Sequence, residues 1–153
     1  MATGGSTIPQ ASAASPSATF DLHTIAAAFP DSAATMLLDT RLTDEAAASV
    51  RVFRVYKAVP AHYHQTCDEY LQVITGRAKF IVGDNAAIEL GPGQLLFFKR
   101  NVIHSIPEIM EEPLVFLAVD TPRRDPADVT FVDSTAGDAQ TFIRTISTSA
   151  NGY

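Results

Sequence analysis

The chain is poor in several features that mark particular protein classes. It contains a single cysteine, Cys67, so no intramolecular disulfide can form and a disulfide-stapled secreted domain is not expected. No apolar run approaches the roughly 18 residues needed to cross a bilayer, so we expect no membrane partner. Charged residues make up only 18% of the chain and the formal net charge is −6. This acidic balance argues against nucleic acid as a partner, because nucleic-acid binders usually carry a basic patch.

Charge is also missing from residues 1–19, which are rich in Ala, Ser, Thr, Gly and Pro. They have neither the basic start nor the apolar core of a signal peptide, so we expect a disordered leader on a soluble, cytoplasmic protein. The chain of 153 residues, 46% of them hydrophobic, is long enough for one domain with a real core. We expect this domain to span residues 20–133, followed by a loosely ordered C-terminal tail over residues 134–153.

Short segments rich in β-branched and aromatic residues dominate the expected domain. Asp21 is a plausible N-cap for a short helix over residues 22–29, which Pro30 stops. Residues 44–48 are too few to trust as a helix and are interpreted as a loop. Turn residues then separate a series of expected strands, at residues 35–39, 50–56, 70–74, 78–82, 87–90, 95–98, 102–106, 114–119 and 129–132. Many short strands without long helices between them predict an all-β antiparallel sandwich or barrel.

Three of the four histidines and one glutamate have spacings that suit a single metal ion. His62 and His64 form a His-x-His pair, which lies on one face of a strand because strand side chains alternate with period two. Glu69 follows His64 at an odd spacing, so a turn or bulge must re-aim it inward, and residues 66–68 supply small polar side chains for that turn. His104 lies downstream. Imidazoles with one carboxylate suit Fe(II), Mn(II), Ni(II), Co(II) or Zn(II), and suit Ca²⁺ poorly.

The sequence around these residues resembles the cupin superfamily. Its first motif, G-x5-H-x-H-x3,4-E-x6-G, falls on His62, His64, Glu69 and Gly76, and its second, G-x5-P-x-G-x2-H-x3-N, falls on Gly93 and His104. The resemblance covers about residues 50–120 and implies a double-stranded β-helix, the cupin or jelly-roll barrel, with the short helix preceding it. It also implies that His62, His64, Glu69 and His104 are metal ligands and that the chain forms a homodimer.

Four motif positions depart from the pattern, and none of them is a ligand. Tyr56 and Asn101 stand at glycine positions, Lys99 at a proline position and Glu108 at an asparagine position. Asn101 is the mildest change, because Asn tolerates positive φ better than other non-glycine residues. Lys99 loses a rigid φ but should keep a workable turn. The resemblance therefore still predicts both the fold and the metal site.

Other polar and aromatic residues have two interpretations each. Arg51, Arg54 and Lys99 could hold a substrate carboxylate or lie on solvated faces. Cys67 could be a soft group near the metal or a redox-sensitive thiol, although a small turn residue is the simpler interpretation. Four aromatic residues could either line a pocket or be ordinary core residues: Tyr63, Tyr70, Phe80 and Phe116. Asp68 should cap the turn, and His23 is interpreted as a surface histidine.

The resemblance leaves the reaction open, because cupins with this ligand set include dioxygenases, isomerases, decarboxylases and cyclases. We favour a mononuclear divalent-metal enzyme acting on a small organic molecule, with a dioxygenase first, since three histidines and a glutamate can hold Fe(II) beside open positions. Fe(II) or Mn(II) is the expected metal, with Zn(II) or Ni(II) as further candidates. The alternatives are a non-catalytic cupin that binds or senses a small ligand, and a mainly structural protein with a vestigial site.

Overall fold

The computed structural model describes residues 17–147. The predicted leader therefore lies outside the described residues up to position 16, as do the last six residues of the predicted tail. The helices and strands, in chain order, are α1 (Leu22–Ala27), β1 (Leu37–Glu45), β2 (Ala48–Val55), β3 (Val59–Tyr63), β4 (Asp68–Val82), β5 (Ile88–Leu90), β6 (Leu95–Phe98), β7 (His104–Thr121), β8 (Thr130–Phe131), α2 (Ala139–Phe142) and β9 (Ile143–Thr145).

Two long strands, β4 and β7, run through both layers of the fold and pair with each other along most of their length. The first half of β4 pairs with β6 and its second half with β5. Similarly, the first half of β7 pairs with β3 and its second half with β2. The result is one layer with the order β9–β1–β2–β7–β4–β6 and a second with the order β8–β3–β7–β4–β5. This two-layered barrel confirms the predicted all-β fold.

Two pairs of separately predicted strands are each one continuous strand in the structure. The predicted strands at residues 70–74 and 78–82 both lie in β4, and those at 102–106 and 114–119 fall in β7 from His104 onward. Gly76 accounts for the first case. Its φ of +81° and three nearby register shifts bend β4 from one layer into the other without ending its pairing with β7. A Cβ at position 76 would lie 2.5 Å from the carbonyl oxygen of Pro113, so only glycine fits this crossing point.

Two clusters of buried side chains stabilise the barrel. The larger lies between the layers and includes the wholly buried Phe80 and Phe116. The smaller lies outside, where Ile25 of α1 packs on Leu38 and Val52. Asp21 caps α1 as predicted and accepts hydrogen bonds from the backbone N–H groups of His23 and Thr24, although the helix ends at Ala27 rather than at residue 29.

Two segments differ from the sequence-based interpretation. Residues 44–48, interpreted as a loop, are the tip of the β1–β2 hairpin, and Glu45 pairs directly with Ala48. Residues 134–147 were expected to pack loosely, but they contain α2 and β9. The reason is that Phe142 is only 3% exposed in the interior cluster, and β9 adds to β1 as a parallel edge strand. Asp138 and Thr141 cap the N-terminus of α2 with a reciprocal capping box.

Candidate metal centre

The three predicted histidine ligands meet at one end of the barrel interior. His62 lies on β3 and is the register partner of His104, the first residue of β7. His64 follows the last residue of β3 and points to the same side as His62, as the alternation of strand side chains requires. All three are 3–4% exposed. One imidazole nitrogen from each lies within 4.8 Å of the other two, which is close enough for a single ion.

Hydrogen bonds to the backbone fix the orientation of each ring. Nδ1 of His62 lies 2.8 Å from the carbonyl oxygen of Pro60, Nδ1 of His64 lies 2.6 Å from that of Asp128, and Nδ1 of His104 lies 2.9 Å from that of Val102. A carbonyl oxygen can only accept, so every Nδ1 carries its proton and donates it. A neutral ring held in this way keeps its lone pair on Nε2, which is the state in which a histidine binds a metal.

Burial favours the neutral form of the His62 and His104 rings. Burial, reinforced by the neighbouring imidazoles of His104 and His64, lowers the pKa of His62 well below its usual value. Burial and the nearby His64 likewise lower the pKa of His104 to about 4. Near neutral pH both rings are unprotonated, so a metal ion does not have to displace protons from them.

Glu69, the predicted fourth ligand, begins the inward face of β4 after the turn at residues 64–67. Its Oε2 lies 3.3 Å from Nε2 of His64, and its other carboxylate oxygen lies 2.7 Å from Nη2 of Arg51. Burial alone would raise the pKa of Glu69, but the contact with His64 and the charge of Arg51 outweigh it and hold the pKa well below the usual range. Glu69 is therefore an ionised carboxylate at the edge of the histidine cluster rather than within it, since the 4.8 Å grouping comprises the three histidines.

Arg51 organises the buried charges behind this site. Its guanidinium donates to Asp120 from Nε at 2.8 Å and to Glu69 at 2.7 Å, and it lies 4.0 Å from Asp39. All four side chains are at most 4% exposed. Arg51 was a candidate for binding a substrate carboxylate, but here its donors hold protein carboxylates instead.

A small cavity lies against the histidines. Its volume is about 20 Å³, which is room for about one water molecule. His62, His64, His104, Glu69, Arg51 and Arg124 form its polar lining, and its apolar lining comprises Leu37, Phe53, Val59, Leu71, Phe80, Ile106 and Phe142. Phe98 also lies against His104, with ring centroids 3.8 Å apart. The cavity is thus a polar spot in an otherwise apolar interior.

Several other residues named from the sequence lie away from the cavity. Arg54 binds the carbonyl oxygen of Pro30, and Lys99 is exposed, so neither reaches the histidines. Tyr70 is 39% exposed and its ring lies 4.6 Å from that of Phe97 on the outer face. Tyr63 is half-buried, and Phe116 is a core residue, whereas Phe80 does line the cavity. His23 is exposed on α1, as interpreted.

The turn before Glu69 is held differently from the prediction. Asp128 accepts hydrogen bonds from the backbone N–H groups of Gln65 and Thr66, whereas Asp68 points outward and binds Arg100. Asp68 thus accepts from the backbone N–H of Arg100, in the turn over residues 99–102, rather than from the turn that precedes Glu69. Cys67 is 1% exposed, and burial next to Asp120 and Glu69 raises its pKa to about 12, so it is a packed thiol and not an activated one.

The motif departures are accommodated in the structure. Asn101 adopts a φ of +65° at the motif's internal glycine position, and it is the one non-glycine residue with positive φ in the stretch 17–147. The carbonyl oxygen of Lys99 accepts from the backbone N–H of Val102, so the predicted turn is kept without proline. The backbone N–H of Asn101 also donates to the carbonyl oxygen of His64, which ties this turn to the site.

Sequence reasoning missed two side chains that line the cavity, Arg124 and Phe142. Arg124 lies in the loop after β7, where the surrounding polar residues indicated only a solvated connection. Phe142 lies in the segment expected to pack loosely, and its ring centroid is 5.0 Å from that of His62. The sequence did contain a signal for this helix and its buried residue: Phe142 lies between Asp138, a typical N-cap residue, and the apolar Ile143.

A buried cluster of three fixed imidazoles with an ionised carboxylate beside it is a donor set that fits one divalent transition-metal ion. The second layer of backbone carbonyls is typical of metal-binding histidines. No helix in the described part of the chain is long and apolar enough to cross a membrane.

Comparisons with known proteins agree with this architecture. Residues 52–120 match the family model of the cupin domain. A search of curated proteins finds no match. Among solved structures, an uncharacterized conserved protein with a double-stranded β-helix domain from Klebsiella pneumoniae subsp. pneumoniae MGH 78578 superposes with a TM-score of 0.58 at 19% identity, over 75% of this chain and 96% of that one.

Two further solved structures show the same fold. KdgF from Halomonas sp. has a TM-score of 0.53 at 15% identity, over 59% of this chain and 82% of its own. The DMSP lyase DddQ from Ruegeria pomeroyi DSS-3 has a TM-score of 0.50 at 20% identity, over 57% of this chain and 44% of its own. The motif residues, the match of residues 52–120 to the cupin domain and the two-layered barrel together support the cupin superfamily for this chain.

Proposed function

We propose that the chain is a mononuclear divalent-metal cupin that acts on a small organic molecule. The observation that carries this proposal is the convergence of His62, His64 and His104, whose Nδ1 atoms are all committed to backbone carbonyls. The other ring nitrogens face one buried space, where Nε2 of His64 contacts the Glu69 carboxylate at 3.3 Å. A cation is the natural occupant of such a site.

Glu69 is the proposed fourth ligand. Its Oε2 faces Nε2 of His64 at 3.3 Å. A metal ion bound by a neutral His64 would therefore have this carboxylate beside it. Arg51 keeps Glu69 ionised from the opposite side, so the carboxylate is ready to bind a cation.

Bound there, a divalent metal would supply a Lewis acid and open positions at which a substrate or O2 can bind. Fe(II) or Mn(II) is the proposed metal, with Zn(II) or Ni(II) as alternatives, because the set has no thiolate and mixes imidazole with carboxylate. The protein's own part is to orient the imidazoles, to keep Glu69 charged through Arg51, and to exclude bulk water with Phe142 and Phe98. A dioxygenase is the reaction class to test first.

A second candidate function is non-catalytic binding or sensing of a small ligand. The narrow interior favours a sensing role, because the cavity of about 20 Å³ is far smaller than the roughly 300 Å³ or more of most pockets for organic ligands or substrates. Catalysis on anything larger than a few atoms would require the segment that carries Phe142 to move.

Oxygen uptake by metal-loaded protein distinguishes these functions. The protein, its His104→Ala variant and a His23→Ala control would be loaded anaerobically with Fe(II) and screened against phenolic, enol and keto-acid substrates. A dioxygenase predicts substrate-dependent oxygen uptake by the protein and by His23→Ala, and none by His104→Ala or by Zn(II)-loaded protein. Turnover that persists with Zn(II) would replace the dioxygenase by a Lewis-acid reaction. Bound Fe(II) with no turnover across the screen would favour the binding function.

We further propose that two copies form a homodimer in the cytoplasm, where the free thiol of Cys67 would stay reduced. Strand β6 supports the dimer, because among residues 17–147 it pairs with β4 alone and so presents an open edge. Its outer face is apolar, with Leu95 63% and Phe97 44% exposed next to Tyr70. Sedimentation should give twice the chain mass at micromolar concentration, and Leu95→Lys should shift it towards monomer. Monomer alone in the unaltered protein would contradict the dimer.

A further inference from the structure

Arg124 is a buried cation with two guanidinium nitrogens that have no hydrogen-bond partner. The loop after β7 brings it over the open end of the barrel, where its backbone N–H donates to Oγ of Ser49 at 3.2 Å. Its side chain is 3% exposed and lines the same cavity as the three histidines. Its Nε and Nη2 atoms have no hydrogen-bond partner. The guanidinium carbon lies 5.5 Å from the centroid of the Phe142 ring, which packs on it without accepting a hydrogen bond in the plane of the fork.

The contrast with Arg51 makes this arrangement informative. Both guanidinium groups are buried in the same interior, but Arg51 has carboxylate oxygens at 2.7 and 2.8 Å. Burying a charged donor without a partner costs more than burying a neutral one, and a chain has no structural reason to do so. The planar fork of an arginine matches a carboxylate, and here two of its nitrogens are available for one.

The buried charges point to the charge of the missing partner. Among the described residues, the buried acidic and basic side chains other than histidine are Asp39, Glu69, Asp120, Arg51 and Arg124, with a formal sum of −1. A divalent ion at the proposed metal site changes this sum to +1, because the imidazoles are neutral. A single bound monoanion would return the interior to neutrality, which is the state that a low-dielectric interior favours.

We propose that Arg124 binds the carboxylate of a small monoanionic ligand that also contacts the metal. This inference rests on the proposed metal site and specifies which class of molecule the site takes. The cavity has room for about one water molecule, so the ligand would be a carboxylate with little attached to it, such as formate or acetate, and the segment that carries Phe142 would have to move to admit it. Arg124 would bind its oxygens, which Arg51 cannot do because its Nε and Nη2 atoms already donate to Asp120 and Glu69.

Acetate binding to Co(II)-loaded protein tests the proposal, with the visible spectrum of Co(II) as the readout. Acetamide, which has the same shape without the charge, is the matched ligand. Arg124→Gln is the matched loss of charge, Arg124→Lys keeps the charge without the fork, and Arg123→Gln removes the neighbouring cation, which is 43% exposed and paired with Asp44. Acetate should change the spectrum of the unaltered protein and of Arg123→Gln, and acetamide should not.

In Arg124→Gln the affinity for acetate should fall by about tenfold or more, as expected for the loss of a charge-assisted pair. Co(II) binding itself should be unchanged, and Arg124→Lys should retain part of the acetate affinity. Equal acetate affinities in Arg124→Gln and the unaltered protein would overturn the proposal. If Arg124→Gln does not fold, the Arg124→Lys result decides, since an affinity equal to that of the unaltered protein would exclude a role for the fork.

Failure of the metal site would be distinguishable from failure of the anion site. If no Co(II) binds, the proposed function is wrong. If Co(II) binds but acetate leaves the spectrum of the unaltered protein unchanged, the proposed function stands and the anion site is wrong.

Discussion

Replacing Arg51 by methionine should destabilise the metal-free protein strongly. The guanidinium lies 2.7 Å from Glu69 and 2.8 Å from Asp120, and all three side chains are at most 4% exposed. Arg51→Met keeps most of the side-chain volume but leaves two buried carboxylates without their cation. Breaking a buried pair by removing one partner costs about 3–5 kcal/mol, a large share of the 5–15 kcal/mol that stabilises a typical domain.

Urea unfolding followed by circular dichroism measures this loss. With a slope of about 2 kcal/mol per M, the midpoint should fall by about 1.5–2.5 M at an unchanged slope. Arg100→Met is the control, because its pair with Asp68 is solvent-exposed and should leave the midpoint close to that of the unaltered protein. Saturation with a divalent metal should recover part of the loss, since the ion places positive charge beside Glu69. A midpoint for Arg51→Met that matches the Arg100→Met control would refute this account of the buried charges.

Three further predictions concern packing around the site. Gly93→Ala should lower the free energy of unfolding by about 1–2 kcal/mol, because its only cost is the positive φ of +85°. Gly76→Ala should lower it by about 1–3 kcal/mol more in urea unfolding, because the new Cβ also meets two carbonyl oxygens at 2.5 and 2.6 Å. Equal losses in the two variants would contradict the crossing-point role of Gly76. Phe142→Ala should lower the free energy of unfolding by about 3–5 kcal/mol, because the ring fills the interior cluster. Val132, which is 57% exposed, is the control position. A loss in Phe142→Ala no larger than that in Val132→Ala would show that the C-terminal segment does not stabilise the barrel. The thiol of Cys67, 1% exposed, should resist a disulfide reagent such as dithionitrobenzoate in native buffer and react as one thiol per chain in denaturant; rapid reaction of the native protein would contradict its burial.

The sequence predicted the elements whose requirements are local. The His-x-His alternation predicted that His62 and His64 lie on one face, because strand geometry determines which face each side chain occupies. His104 was predicted from the resemblance to the second cupin motif. The predicted tolerance of Asn101 for positive φ is confirmed at +65°. The placement of Glu69 as a metal ligand stays a prediction, since in the structure its carboxylate lies beside His64 and Arg51.

Features that depend on distant pairing were not predictable in the same way. A one-dimensional pattern does not show that β4 bends at Gly76 and continues, because a turn glycine and a bend glycine look alike in sequence. Nor does it show that Arg51 faces inward and binds carboxylates, that Arg54 faces outward, or that Arg124 faces inward with two nitrogens unpaired. That choice is made by the register of β2 with β7 and by the path of the loop after β7.

Calorimetric titration of metal-free protein with Mn(II) and Zn(II) tests the central claim most directly. The account predicts one ion per chain for the unaltered protein and for the exposed control His23→Ala. It predicts an affinity at least about 100-fold lower for His104→Ala, because losing a ligand should cost no less than losing a supporting contact around it. Binding by His104→Ala as tight as that of the unaltered protein, or no binding by either, would contradict the assignment of the histidine cluster as a metal site.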